Sequence, residues 1–267
     1  MSTRVIAARS CAPRSRRISC LNCAFTAREW RRSLTSTEAG YFEEQIVHNR
    51  SVRRGDYVHR SGATLMALSI INSGFLKTFL TSSNGNVQIT GFSMRGDMVG
   101  LDALGIGIYQ CDTIALEESR LCSIEHSRFE QLARDIPALQ HIIHQKMSTE
   151  IVRGQNVMVS LGTMQADERL FRFLLDLSKR FAALGCAKER FRLPMWRREI
   201  GEYLGLKLST ECRMLSHLQE IDAIAIDGKD ITIKNVPSMW QSVQIEPPVQ
   251  QISRLHQTPS NFLQEAV

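Results

Sequence analysis

Between residues 45 and 127 the apolar residues come in short runs, such as Phe75-Leu76-Lys77-Thr78-Phe79-Leu80 and Val87-Gln88-Ile89-Thr90-Gly91-Phe92. Nine of the sixteen glycines lie in this stretch, and Ser83-Asn84-Gly85-Asn86 reads as a turn between two of the runs. Short apolar runs separated by residues that tolerate positive φ predict strands joined by tight turns, hence an all-β roll or barrel. The period then changes. Over residues 127–161, Leu139, Ile143, Met147, Ile151, Gly154, Met158 and Leu161 recur at steps of four and three. That spacing predicts a long helix with one continuous stripe. The stripe either packs on its own domain or forms the seam of a homodimer, with Ile143, Met147, Ile151, Gly154 and Met158 as the seam.

A second helix is expected over residues 167–184, followed by Phe191-Arg192-Leu193-Pro194 and then Arg197-Arg198-Glu199-Ile200-Gly201-Glu202-Tyr203-Leu204-Gly205-Leu206. Ile200 and Leu204 form an i, i+4 apolar face, Gly201 allows close approach of a second helix, and Gly205 supplies the positive φ that ends the first. Ser209 and Thr210 are candidate caps for a second helix that turns Leu215 and Leu218 inward and Arg213 outward. Two short helices joined by a glycine turn are a helix-turn-helix signature, whose second helix enters the major groove of double-stranded DNA. Arg197, Arg198, Lys207, Ser209, Thr210, Cys212 and Arg213 are the candidate DNA contacts. Asp227-Gly228 between the apolar runs 223–226 and 231–233 predicts a hairpin, which after a recognition helix is a wing.

The pattern divides the chain into a basic arm (1–33), a β-roll (34–127), a helical region (128–162), a winged helix-turn-helix (163–237) and a Gln-, Pro- and Ser-rich tail (238–267), an α+β architecture. Composition changes this picture little. The 267 residues allow two compact domains, and no apolar run is long enough for a membrane span. The N-terminus has arginines without an apolar segment behind them, against a signal peptide; its Arg- and Ser-rich, acid-poor character is also that of a transit peptide, the lesser reading. Seven unevenly spaced cysteines suit a reducing cytoplasm. The net charge of +6 sits in the arm: residues 1–33 carry eight arginines against Glu29, so the rest sums to about −1. Motif geometry, not basic excess, therefore points to DNA in the C-terminal part.

The order of cysteine-bearing arm, glycine-rich β-roll, long helix and winged helix-turn-helix resembles the Crp/Fnr family of bacterial transcription regulators, and within it the Fnr-type, oxygen-responsive branch. Matching segments are Gln88-Ile89-Thr90-Gly91-Phe92, Gly96-Asp97-Met98-Val99-Gly100, Ala115-Leu116-Glu117, Cys122, Asp167-Glu168-Arg169, Phe191-Arg192-Leu193 and residues 200–206. The resemblance covers about residues 18–236. It implies a cyclic-nucleotide-binding-like β-roll and a homodimer on an inverted-repeat operator, working with RNA polymerase as activator or repressor. It also implies a [4Fe–4S] cluster held by three arm cysteines and one from the β-roll.

The sequence departs from that pattern in four places. The arm keeps Cys20-Leu21-Asn22-Cys23, but Glu29 and Arg31 stand where a third cysteine belongs; Cys122 matches the β-roll ligand. Clusters of this type take four thiolates, so Cys11, or Cys111 in its place, completes the set, or these are cluster-free thiols. Cys186 and Cys212 read as structural or incidental. The Glu-x-x-Ser-Arg reading pattern of the branch is Ser209, Cys212 and Arg213 here: Arg213 keeps the guanine-reading guanidinium, and the acceptor suited to cytosine is lost, so altered specificity is expected. Glu211 falls on the inward face, where the family has an apolar residue. It is expected either to reach solvent or to destabilise the domain. Gly154 replaces an acid that opposes dimerisation in the Fnr branch.

Two other functions find little support in the residues. A cyclic nucleotide needs a carboxylate for the ribose and an arginine for the phosphate; residues 100–109 hold only Asp102 and no arginine, so none is expected. An enzyme is not expected either: the seven histidines form no His-x3-His pair, His141 and His144 read as a solvated helix face, and no nucleophile elbow or P-loop is present.

Overall fold

The computed structural model describes residues 34–45 and 47–234; the arm with Cys11, Cys20 and Cys23, and the tail, lie outside the described residues. The short apolar runs are strands of two four-stranded antiparallel sheets. One contains β1 (Val47–Val52), β8 (Ser119–Glu125), β3 (Ala67–Ser73) and β6 (Met98–Val99), in that order. The other contains β2 (Tyr57–His59), β7 (Asp112–Ala115), β4 (Phe75–Thr81) and β5 (Val87–Met94). Residues 68–72 of β3 are all buried, the polar Ser69 and Asn72 among them, so this strand is covered on both faces. Gly74 between β3 and β4 has φ +95°, and a Cβ there would lie 2.1 Å from Ser119 Oγ, so this corner admits only glycine.

The pattern did not predict helix α1 (Ser36–Glu44), whose short, largely polar sequence shows no apolar stripe. It is set by a capping box: Glu38 Oε2 accepts the Thr35 N–H at 2.7 Å, and Thr35 Oγ1 accepts the Glu38 N–H at 3.3 Å. Leu34 and Phe42 carry it into the core that also holds Cys122, Tyr109 and Phe129.

The single helix expected over 127–161 is two, α2 (His126–Asp135) and α3 (Pro137–Thr163). Pro137 occupies the first turn of α3, and Ile136 before it is extended (φ −124°, ψ 92°), the conformation a following proline favours. The first turns of α3 bury Leu139, Ile142 and Ile143 against the β-roll, whereas Ile151, Val152, Met158 and Val159 further along are exposed. Helix α4 (Ala166–Ala183) begins where Glu168 accepts the Gln165 N–H at 2.9 Å. It leads to β9 (Arg190–Arg192), a strand not anticipated, then to α5 (Arg197–Leu204), α6 (Leu208–Glu220) and the hairpin β10 (Ile224–Asp227) and β11 (Asp230–Ile233). The third sheet runs β10-β11-β9, so the wing is three-stranded.

The β-roll and the C-terminal unit share one apolar core, in which Phe92 of β5 meets Tyr203 of α5 (5.1 Å between ring centroids) and Phe173 of α4 (5.9 Å). At its edge lies Asp97, in the turn between β5 and β6. Its carboxylate accepts the Met94 N–H at 2.8 Å, Arg180 Nη2 of α4 at 2.6 Å and Arg153 Nη1 of α3 at 3.2 Å. Burial alone would push this carboxyl up; the Arg180 and Arg153 guanidiniums and the Met94 N–H outweigh it and hold the group below its ordinary range. The stabilisation is therefore present above about pH 4 and is lost as pH falls through the lower folded value. Asp97→Ala, which leaves two arginines without their carboxylate, is expected to destabilise the protein by about 3 kcal/mol at neutral pH in urea unfolding. The difference from the parent should shrink as the pH is lowered below about 4.

Candidate nucleic-acid interface

The turn between α5 and α6 is built as the glycines predicted. Gly205 closes α5 in the left-handed region (φ +63°), and its N–H returns to the Gly201 carbonyl. A Cβ on Gly201 would meet the Leu206 carbonyl oxygen at 2.8 Å, so Gly201 admits the turn itself rather than a second helix. Ile200 and Leu204 of α5 and Leu215 and Leu218 of α6 are buried in one core. The expected capping by Ser209 and Thr210 does not occur. Helix α6 starts at Leu208, with Lys207 as its cap and no side-chain cap hydrogen bond, which places both hydroxyls in the first turn.

Glu211 neither reaches solvent nor stands alone. Its side chain is 0% exposed, with Oε1 3.5 Å from Arg197 Nη1 of α5, and its Oε2 accepts the Cys212 thiol at 3.6 Å. Burial pushes the Glu211 carboxyl up, and Arg197 opposes that. Arg197, expected to face DNA, is thus the partner of a buried carboxylate. The other expected contacts are open: Arg198 is 80% exposed and bonded to Glu202 one turn on, while Lys207, Ser209, Cys212 and Arg213 are exposed and Thr210 is half-buried. The second helix therefore presents Ser209, Cys212 and Arg213 together outward, the geometry that major-groove reading needs.

The expected dimer seam divides. Ile143 is buried in the core of its own β-roll and Met147 packs against it, so these two belong to the fold of the subunit. Ile151 and Met158 are exposed, and nothing lies within 4 Å of a Cβ placed on Gly154. Among the cysteines, Cys122 on β8 is buried beside the α1 residues, whereas Cys111 lies just before β7, on the other sheet. Burial and the Asp102 and Asp112 carboxylates push the Cys111 thiol up, against a hydrogen bond from Thr90. Among the described residues, no three His, Cys, Asp or Glu side chains converge as a metal site.

Sequence patterning missed the residues that fix the reading head to the β-roll. Lys77 of β4 pairs with Glu199 of α5 at 2.8 Å, and Gln88 of β5 donates to the Glu202 carbonyl at 2.6 Å. Glu199 also accepts the Trp196 N–H at 2.7 Å, so one carboxylate starts α5 and ties it to the roll. Exposed Trp196 lies under two cations, Arg54 of the roll at 4.9 Å and Lys229 of the wing at 4.1 Å. Glu199 three residues after Trp196 carries a helix-start signal; nothing in the sequence pairs it with Lys77.

An antiparallel β-roll joined to a winged helix-turn-helix defines a DNA-binding transcription regulator. The cyclic nucleotide-binding domain family matches residues 49–135 and the Crp-like helix-turn-helix domain family residues 168–241. The chain is 34% identical over 224 residues to the Fumarate and nitrate reduction regulatory protein of Escherichia coli K12, covering 84% of this chain and 90% of that protein. It is 34% identical over 214 residues to the Transcriptional activator protein anr of Pseudomonas aeruginosa, covering 80% and 88%. FixK2 from Bradyrhizobium japonicum has the same fold, with a TM-score of 0.69 at 24% identity over 75% of this chain and 99% of that one. This chain belongs to the Crp/Fnr family. Its relatives are transcription regulators, not enzymes, and no helix among the described residues is long and apolar enough to cross a membrane.

Arg213→Ala is expected to weaken operator binding by about 1–3 kcal/mol while leaving binding to unrelated duplex nearly unchanged, compared by gel shift on both DNAs. Equal losses on the two would rule out base reading by Arg213. For stability, Arg197→Ala should cost about 3 kcal/mol, since it strands a buried carboxylate, whereas Glu211→Leu should be close to neutral in thermal unfolding.

Proposed function

We propose that this protein is a cytoplasmic, dimeric transcription regulator that responds to oxygen or redox state, acting with RNA polymerase at an inverted-repeat operator. Cys20, Cys23 and Cys122, with Cys11 as fourth ligand, would hold a [4Fe–4S] cluster. The observation that carries this reading is the position of Cys122, in the same core as Leu34 and Phe42, where the arm enters the fold. The eleven chain steps from Cys23 to Leu34 reach at most roughly 36–40 Å when extended, ample to bring the arm thiolates to β8. Cys111 is the poorer substitute for Cys11, since its surroundings favour the thiol and cluster ligands are thiolates. A bound cluster would supply an oxidisable joint between arm and roll.

The exposed apolar side chains on the second half of α3 favour a homodimer across that face. Cyclic-nucleotide gating is disfavoured because Asp102, the one acid of its segment, already accepts the Gln110 and Cys111 N–H groups at 2.8 and 3.1 Å. A cluster-free regulator is the second reading, favoured by Glu29 and Arg31 at the place of the third family cysteine and by uncharged Gly154 on the seam face.

Protein purified without air should carry about four iron and four sulfide per subunit, with a visible absorption that air bleaches and Cys122→Ala removes. Colourless, iron-free protein would sink the cluster and leave the second reading. Ile151→Glu should convert dimer to monomer in sedimentation velocity, because a charge would have to be desolvated across the seam; an unchanged dimer would place the seam elsewhere.

A further inference from the structure

The pairing of Arg197 with Glu211 bears on how the protein holds DNA as well as on how it folds. Arg197 opens α5, and Glu211 lies in the first turn of α6, on the inward face behind the exposed Ser209, Cys212 and Arg213. The carboxylate is fully buried, and the guanidinium stays 30% exposed. The sequence marks Arg197 as a candidate DNA contact, and on a helix-turn-helix most such contacts go to phosphate. Here its charge is balanced by a buried carboxylate 3.5 Å away. Residues 163–237 carry thirteen Lys and Arg against eleven Asp and Glu, Glu211 included, a net of only +2, so loss of the Glu211 charge alone would raise it to +3. The Cys212 thiol donates to the same carboxylate, so Glu211 holds a group on each helix.

We infer that Glu211 is a positioning residue that withholds the charge of Arg197 from the DNA backbone, lowering sequence-independent attraction so that binding depends more on the base contacts of Ser209, Cys212 and Arg213. This rests on the DNA-binding role of the family. Backbone attraction is read by salt dependence: each phosphate neutralised contributes about −0.9 to the slope of log K against log salt. A purely structural role for the pair would change stability and leave that slope unmoved.

The test uses the full chain and a mixed-sequence duplex, with affinities measured by fluorescence anisotropy from about 50 to about 200 mM salt. Glu211→Leu should tighten binding at the low-salt end and steepen the slope by about 0.9 per half-site, so that the loss across this range grows roughly 3–4-fold per half-site. Arg197→Ala combined with Glu211→Leu, which removes both partners, should return the slope to that of the parent. Glu211→Gln keeps the shape without the charge and should shift the slope in the same direction, which preserves the test if the leucine variant does not fold. A Glu211 variant with parental far-UV circular dichroism but an unchanged or shallower slope would overturn the inference, since Arg197 would then be out of reach of DNA or already on it. Failure of the parent itself to bind the duplex at low salt would instead count against the DNA-binding role.

Discussion

Asp97 is the constraint on which the arrangement of the molecule depends. One carboxylate in a β-turn is held by a guanidinium from α3 and another from α4, and Arg180 reaches the Phe92 carbonyl of the roll as well. The long helix, the β-roll and the entry to the DNA-binding unit therefore meet at a single, largely buried carboxylate. Such a group is costly to bury and costly to leave unpaired, so its partners have little freedom to drift. The apolar cluster around Phe92, Phe173 and Tyr203 gives the contact its area, while the ion pairs select one geometry within it.

The first helix of the DNA-binding motif is the second point of attachment. Lys77 and Gln88 on adjacent strands take hold of Glu199 and the Glu202 carbonyl, so α5 is fixed from the roll side while α6 faces outward. A change in the roll that moved the β4–β5 hairpin would be felt by α5 before any other part of the reading head. The attached α5 thus links the β-roll to the helix-turn-helix unit.

Much of this was legible in the sequence where local rules dominate. The strands between glycines, the Gly205 turn, the Asp-Gly hairpin and the inward faces of α5 and α6 follow from conformational preference and periodicity, and they stand in the structure. What was missed follows from tertiary contact. Ile143 and Met147 share a stripe with Ile151 and Met158, and periodicity cannot say that the first pair faces the roll and the second faces away. The break at Pro137 precedes the first stripe residue, Leu139, so the periodicity itself does not reveal it. Strand β9 is three residues long and exists only because β11 pairs with it. Glu211 was seen as anomalous, yet its partner lies fourteen residues away on another helix, at a distance no helical spacing reveals. The cluster ligands of the arm rest on the family pattern alone.

The three-stranded wing has a geometric consequence. Strand β9 precedes the two helices and β11 follows them, with Phe191 opposite Ile231 and the Leu193 N–H bonded to the Lys229 carbonyl. The whole reading head is therefore a loop whose two ends are zipped together at its base. A loop closed in this way cannot swing by uncoiling at one end; it turns as a unit with its stem. The direction in which Arg213 points is consequently set by the orientation of that stem against α4, so any tilt of the stem re-aims the exposed face of α6 as a whole.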